Sequence, residues 1–233
     1  MHRLRGVFAG VSERCHRCER LGCGKKSPIT LKKENKPINR TKDEGQKMPH
    51  PEPQQLVISG IGGQGVLFVT RLLAEAAIAK DLAVFASETH GMAQRGGTVV
   101  SHLKVGPFSS PLIRPAEADG LLALKAENMA QHGGFLKDGG WAVVNEAPSA
   151  DADDRHPTFR LDADALAGHI HNPKAVNLIM LGYALSPDRK PTSGSGLLFC
   201  TYEDVLAAVE TVTPGRRQLR ESSLIALETG FRS

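Results

Sequence analysis

The sequence predicts an α/β fold: a Rossmann-like, mainly parallel sheet with helices on both faces, preceded by a disordered N-terminal tail. Three observations point there. Short apolar runs of strand length alternate with helical patterns from residue 55 onward. The first run ends in a glycine-rich turn that opens a helix. The chain has 233 residues, 40% of them hydrophobic, which suits one medium domain and falls short of two.

Taken in order, the first strand is the apolar run Leu56-Val57-Ile58. Residues 66–80 follow with Val66, Val69, Leu72, Leu73, Ala76 and Ala77 at helical spacing and no Pro or Gly, so they form an amphipathic helix that Asp81 closes. Further strands are expected at 82–86, 99–105, 120–124 and 141–145. Later helices are expected at 164–168, 175–185, 203–212 and 216–229. Strands that alternate with helices imply right-handed crossovers and a sheet covered on both sides. One crossover helix between the first two strands makes them parallel neighbours.

Residues 1–53 read differently. Residues 25–53 are rich in Lys, Pro, Asn, Gln and Glu and nearly free of large apolar side chains, so burial cannot offset the entropy of ordering them. Residues 1–50 carry 13 Lys and Arg against 5 Asp and Glu, whereas the remainder carries 16 against 20. The part that folds therefore lacks the basic footprint of a nucleic-acid binder. Met48 stands just before the domain (54–233) and is a candidate start for the functional chain. Deleting residues 1–47 is expected to leave the thermal midpoint of the domain unchanged; a clear drop in a melting experiment would show that the tail folds onto it.

Composition narrows the setting. Four cysteines, three of them in the tail, do not make a secreted disulfide scaffold and fit a reducing cytoplasm. The longest apolar stretch, 175–185, is too short to span a bilayer, and no signal-peptide run opens the chain, so no membrane role is expected. Cys15, Cys18 and Cys23 with His16 lack a fourth ligand at a recognised spacing, and no metal site is assigned to them. Cys200 follows Leu198-Phe199 and reads as a small buried residue.

The chemistry concentrates in two loops. Gly60-Ile61-Gly62-Gly63-Gln64-Gly65 satisfies G-x-G-x-x-G directly after a strand and before a helix. Glycines there allow close backbone approach, and the helix start offers unpaired N–H groups to a phosphate or carboxylate. Glu88, ending the second strand, stands where a ribose-binding acid is expected, so these residues alone admit a dinucleotide site. A glycine turn used only for packing is the other reading. No G-K-[ST] ending is present, which speaks against a nucleotide-hydrolysing loop.

The second loop, Glu88-Thr89-His90-Gly91-Met92-Ala93-Gln94-Arg95-Gly96-Gly97, leads into Thr98-Val99-Val100-Ser101-His102. Arg95 between Gln94 and two glycines suits a carboxylate or phosphate, and reads equally as a salt bridge that holds the loop or the subunit interface. His90 reads equally as a proton donor or substrate contact and as a packed or exposed bystander. His102 alternates along a strand and reads as structural, and His132, His156, His169 and His171 have no usable spacing.

With H-G-M-A-Q-R-G-G and V-V-S-H after G-x-G-G-Q-G-V, the chain resembles the gamma subunit or domain of 2-oxoacid:ferredoxin oxidoreductases. The match is nearest to the small (beta) subunit of the indolepyruvate class. The likeness continues through Ser110-Pro111-Leu112-Ile113, Ala118-Asp119, Leu136-Lys137-Asp138-Gly139-Gly140, Ala175-Val176-Asn177 and Leu181-Gly182. Lys125 departs from it, since an acid is expected after the fourth strand.

The resemblance implies a pyruvate/ketoisovalerate oxidoreductase gamma-type domain, a non-autonomous subunit of an aryl pyruvate:ferredoxin oxidoreductase. That complex would convert a 2-oxoacid oxidatively to acyl-CoA. It implies thiamine diphosphate, Mg, iron–sulfur clusters and coenzyme A on or with a large partner subunit, and electrons passed to ferredoxin. This chain shows no thiamine motif and no four-cysteine cluster motif of its own. Its expected contribution is Gly60, Gly62, Gly63, Gln64, Gly65, Gln94, Arg95, Gly96 and Gly97 as a binding surface, with His90 and Arg95 as contributors to catalysis. The rival readings are a self-sufficient NAD(P)-type Rossmann oxidoreductase and a pure assembly module.

Overall fold

A computed structural model of the chain describes residues 52–89, 97–147, 155–190 and 196–233. The strands are β1 (Gln54–Ile61), β2 (Val84–Thr89), β3 (Thr98–Val105), β4 (Ala118–Ala123), β5 (Leu136–Asn145) and β6 (Thr158–Leu161). The helices are α1 (Val66–Ala79), α2 (Ala126–His132), α3 (Ala163–His169), α4 (Val176–Leu185), α5 (Tyr202–Val212) and α6 (Arg217–Phe231). All six strands join one sheet in the order β2-β3-β1-β4-β5-β6.

The sheet is mainly parallel, as expected, but β1 and β2 are not neighbours. β3 lies between them, antiparallel to both. Residues 90–97 are too few to carry the chain back to the other end of the sheet, because a parallel return needs about a dozen residues or more. The second strand can therefore be followed only by an antiparallel partner, and it takes the slot beside β1. On the other side of β1, the pairs β1–β4, β4–β5 and β5–β6 are all parallel.

Helices cover both faces, unequally. The larger core joins Leu56, Ile58, Leu103, Leu122, Trp141 and Val143 of the sheet to α1, α3, α4, α5 and α6. The opposite face carries Val57, Val100, Leu121, Ala142 and Val144, covered by α2, the 3-10 turn Gly133–Phe135 and the segment 106–117 through Ile113. α4 reads apolar all round, and it is accordingly buried from Val176 to Ala184. Among the described residues, no helix is long and apolar enough to cross a membrane.

Local chemistry explains the element ends. Asp81 takes a left-handed φ of 57°. There its N–H donates to the Ile78 carbonyl, and that of Leu82 to Ala77, each at 3.0 Å. This is a Schellman closure with aspartate in the usual glycine place. It uses Leu82 for the cap, so β2 begins at Val84, later than hydrophobicity alone suggests. At α5, the Thr201 hydroxyl accepts from the Asp204 N–H (3.3 Å) and the Asp204 carboxylate accepts from the Thr201 N–H (2.9 Å). The same carboxylate takes Lys80 Nζ at 2.8 Å, tying the end of α1 to the start of α5.

Cys200, in the turn before α5, is buried, in line with its sequence reading. Burial first, and then the Asp204 carboxylate, push its thiol up to about 12. It stays protonated through neutral pH. Alkylation of native Cys200 at pH 8 should run about a hundredfold slower than in the unfolded chain, read by peptide mapping. Equal rates in the two states would refute its burial.

Candidate functional site

The crossover that carries α1 lies on one face of the sheet and the one that carries α2 on the other, so the winding reverses between β1 and β4. Ligands of open α/β sheets bind outside the carboxyl ends of the strands at such a switch point. Both the 60–65 loop and the residues after β4 open onto it.

Each loop residue has a distinct physical task. Gly60 is packed: a Cβ there would stand 2.9 Å from Val66 Cγ2 and 3.1 Å from Leu124 Cδ1. Gly62 N–H donates to the Gly97 carbonyl at 2.9 Å. Gly63, at φ 97°, faces open space, with nothing within 4 Å of a would-be Cβ. Gln64 folds back, its Oε1 accepting from the Ile61 N–H at 2.7 Å and its Nε2 donating to the Leu124 carbonyl at 3.4 Å. It staples β1 to β4 across the switch point.

Gly65 forms the N-cap of α1 at φ 79° and ψ 28° with no capping side chain. Its Cβ would lie 2.3 Å from Asn177 Nδ2, and that amide donates to the Gly65 carbonyl at 3.2 Å. The start of α1 therefore meets the start of α4 through the Gly65 backbone and the Asn177 side chain. The Val66 and Leu67 N–H groups begin the helix without a side-chain acceptor, which leaves an opening suited to an anionic group.

The second loop falls mostly outside the described residues: His90, Gln94, Arg95 and Gly96 are not among them. Its two stems are. Glu88 is the last residue but one of β2, and Gly97 precedes β3, where Ile61 pairs with Thr98. The two loops are thus brought together through β3 rather than through adjacent first and second strands. Glu88 stands two strand spacings, on the order of 10 Å, from β1. A ribose-binding acid sits on the strand next to the glycine loop, so this geometry disfavours the dinucleotide reading.

Several site neighbours had no local signal. Lys125 Nζ meets Asp164 Oδ2 of α3 at 3.0 Å, and the same oxygen accepts from Asn145 Nδ2 at 3.0 Å. A lysine after β4 thus closes a half-exposed ion pair, whose contribution is at most about 1 kcal/mol. His132, at the end of α2, hydrogen-bonds Ser59 Oγ through Nδ1 at 2.9 Å, and Thr98 Oγ1 donates to Gln131 Oε1 at 3.1 Å. Both bonds fasten α2 against the strand ends that carry the loops, across 73 and 33 residues of sequence.

An open, doubly wound α/β sheet with a glycine loop at its switch point defines a Rossmann-like domain. The chain belongs to the pyruvate ferredoxin/flavodoxin oxidoreductase family, whose model matches residues 55–233. It is similar to the indolepyruvate oxidoreductase subunit IorB of Archaeoglobus fulgidus, 39% identical over 90 residues, which is 39% of this chain and 45% of the relative. It thus matches less than half of that relative's length.

In fold, the chain is similar to the gamma subunit of a keto/oxoacid ferredoxin oxidoreductase from Geobacter sulfurreducens. The TM-score is 0.58 at 23% identity, covering 77% of this chain and 96% of that one. It is also similar to a 2-oxoglutarate:ferredoxin oxidoreductase from Magnetococcus marinus, solved with 2-oxoglutarate, coenzyme A and succinyl-CoA bound. There the TM-score is 0.58 at 17% identity, over 76% of this chain and 30% of that one.

Proposed function

We propose that this chain is the small, gamma-type subunit of an indolepyruvate (aryl pyruvate):ferredoxin oxidoreductase and has no complete active site of its own. The complex would oxidatively decarboxylate a 2-oxoacid to an acyl-CoA and pass the electrons to ferredoxin. Thiamine diphosphate with its Mg, and the iron–sulfur clusters, would reside on a large partner subunit, where the thiamine supplies the carbanion chemistry.

The observation that carries this reading is the pairing of the two loops at the switch point through the Gly62–Gly97 hydrogen bond. Together with the open face of Gly63 and the uncapped start of α1, it makes a surface suited to an anion. Gly60 and Gly65 shape the turn, Gln64 braces it, and Gly62, Gly63, Gly96 and Gly97 let backbone approach. Gln94 and Arg95 supply polar and charged contacts, and His90 a proton donor. The anion is the phosphate of coenzyme A or the carboxylate of the oxoacid. Membership of the oxidoreductase family and the likeness to an indolepyruvate subunit support the choice of reaction.

The test is reconstitution. The isolated chain should show no oxidation of indolepyruvate with any electron acceptor and no change on adding NAD(P). Activity should appear on adding the large subunit. Turnover by the chain alone would favour a self-sufficient oxidoreductase. Full activity of the large subunit alone, unchanged by this chain, would leave only an assembly role.

A further inference from the structure

His102 is buried, 4% exposed, in the middle of β3, on the thinly covered face of the sheet. Its cross-strand neighbours, Val57 on β1 and Ser87 on β2, are uncharged. Over it runs the segment 106–117, which links β3 to β4 without regular structure. That strap is held at its ends by Gly106 N–H to the Ala83 carbonyl (2.8 Å) and Ala116 N–H to the Gly134 carbonyl (3.0 Å). Gln55 Nε2 adds a bond to the Glu117 carbonyl at 3.0 Å. Midway, Ile113 turns its side chain into the smaller core, 3% exposed, while neighbouring Leu112 stays 49% exposed. The Ile113 N–H donates to His102 Nδ1 at 3.3 Å.

That last bond depends on protonation state. A neutral imidazole with its proton on Nε2 offers Nδ1 as an acceptor, whereas an imidazolium carries N–H on both nitrogens and can only donate. We propose that His102 is a pH-sensitive latch: in its neutral form it accepts the Ile113 amide hydrogen and holds the 106–117 strap on the sheet, and protonation turns the acceptor into a donor and releases it. The amide would then be left buried against another donor, a state that opening to water relieves.

The surrounding charges favour the closed form at neutral pH. Lys104, two residues along on the same face, is buried and holds its ammonium 5.1 Å from the Phe108 ring of the strap. His132 on α2 lies on the far side of Phe135, whose ring stands edge-on to His102 at 5.3 Å and stacked with His132 at 6.3 Å. In the strap itself, Arg114 and Glu117 pair with each other at 3.9 Å. Burial first, then Lys104, then His132, hold the His102 imidazole below the ordinary histidine value of 6.5. Linkage then has a definite sign: closure is complete above 6.5 and weakens as pH falls toward the lowered value, where the strained closed form must take up a proton.

Amide hydrogen exchange on the full chain tests this, corrected for the intrinsic pH dependence of exchange. Between pH 7.5 and 5, strap peptides should lose protection at least tenfold while peptides of α1 and α4 keep theirs. His102→Asn, whose side-chain oxygen accepts without titrating, should abolish the dependence. Lys104→Met removes a cation that disfavours protonation of the closed form, so it should bring the closed-form value back toward 6.5 and shrink the loss of protection at pH 5; it decides the matter if His102→Asn fails to fold. Strap protection that follows the intrinsic curve in the unaltered chain would overturn the proposal. So would an unchanged dependence in His102→Asn, or a loss of protection at pH 5 that is unchanged or larger in Lys104→Met.

Discussion

Gly230→Ala is expected to destabilise the domain by about 3 kcal/mol or more, lowering its thermal midpoint by roughly 10 °C. Gly230 on α6 and Gly182 on α4 let the two helices touch backbone to backbone. A Cβ on Gly230 would lie 1.9 Å from the Ile179 carbonyl oxygen, and one on Gly182 would lie 2.1 Å from that of Leu227. Main chain cannot rotate aside as a flexible side chain can, so the helices must separate and the core they share must open. α4 is buried on all sides, so the strain spreads to α3 and the sheet.

Gly182→Ala should cost as much, and the double variant less than the sum of the two, because one separation relieves both clashes. Gly168→Ala in α3 is the control. Nothing lies within 4 Å of its would-be Cβ, and alanine there should stabilise by about 0.5–1 kcal/mol. Circular dichroism melts compare the four. Midpoints for Gly182→Ala and Gly230→Ala within a few degrees of the unaltered chain would refute the close crossing.

Arg95→Ala should weaken binding of the anion in the reconstituted complex by roughly tenfold to a hundredfold, the equivalent of about 1.5–3 kcal/mol for a charge-assisted hydrogen bond. The expectation rests on the proposed role of the second loop, whose stem Gly97 is bonded to Gly62. Arg95→Lys should recover little, since lysine keeps the charge but loses the planar fork. Michaelis constants for oxoacid and coenzyme A, measured separately, identify which anion is held. Dissociation of the complex with unchanged constants in the assembled fraction would assign Arg95 to the subunit interface instead. Unchanged constants with full assembly would remove it from both roles.

Much of this architecture is written in local patterns. The apolar run before the glycines is β1, the helical spacing of 66–80 is α1, and the all-round apolar 175–185 is the buried α4. The glycine loop lies where its motif places it, between a strand and a helix. Each of these depends on residues within a turn or two of one another, where side-chain period and backbone propensity act directly. α2 and β6 are not legible in this way, because their seven and four residues are too few for a period to stand out.

What the sequence determined by itself was the alternation of strand and helix, the strand-to-helix glycine turn and the acceptance of Cys200 into the interior. Only the tertiary structure decided that β3 slips antiparallel between β1 and β2, and that Gly65 must lack a side chain because Asn177 occupies its place. It also decided that His132 reaches Ser59 and that His102 meets the Ile113 amide. The physical reason is range: a period is set by neighbours along the chain, whereas strand order and these contacts are chosen by which distant surfaces bury one another best, and a single sequence carries no record of that competition.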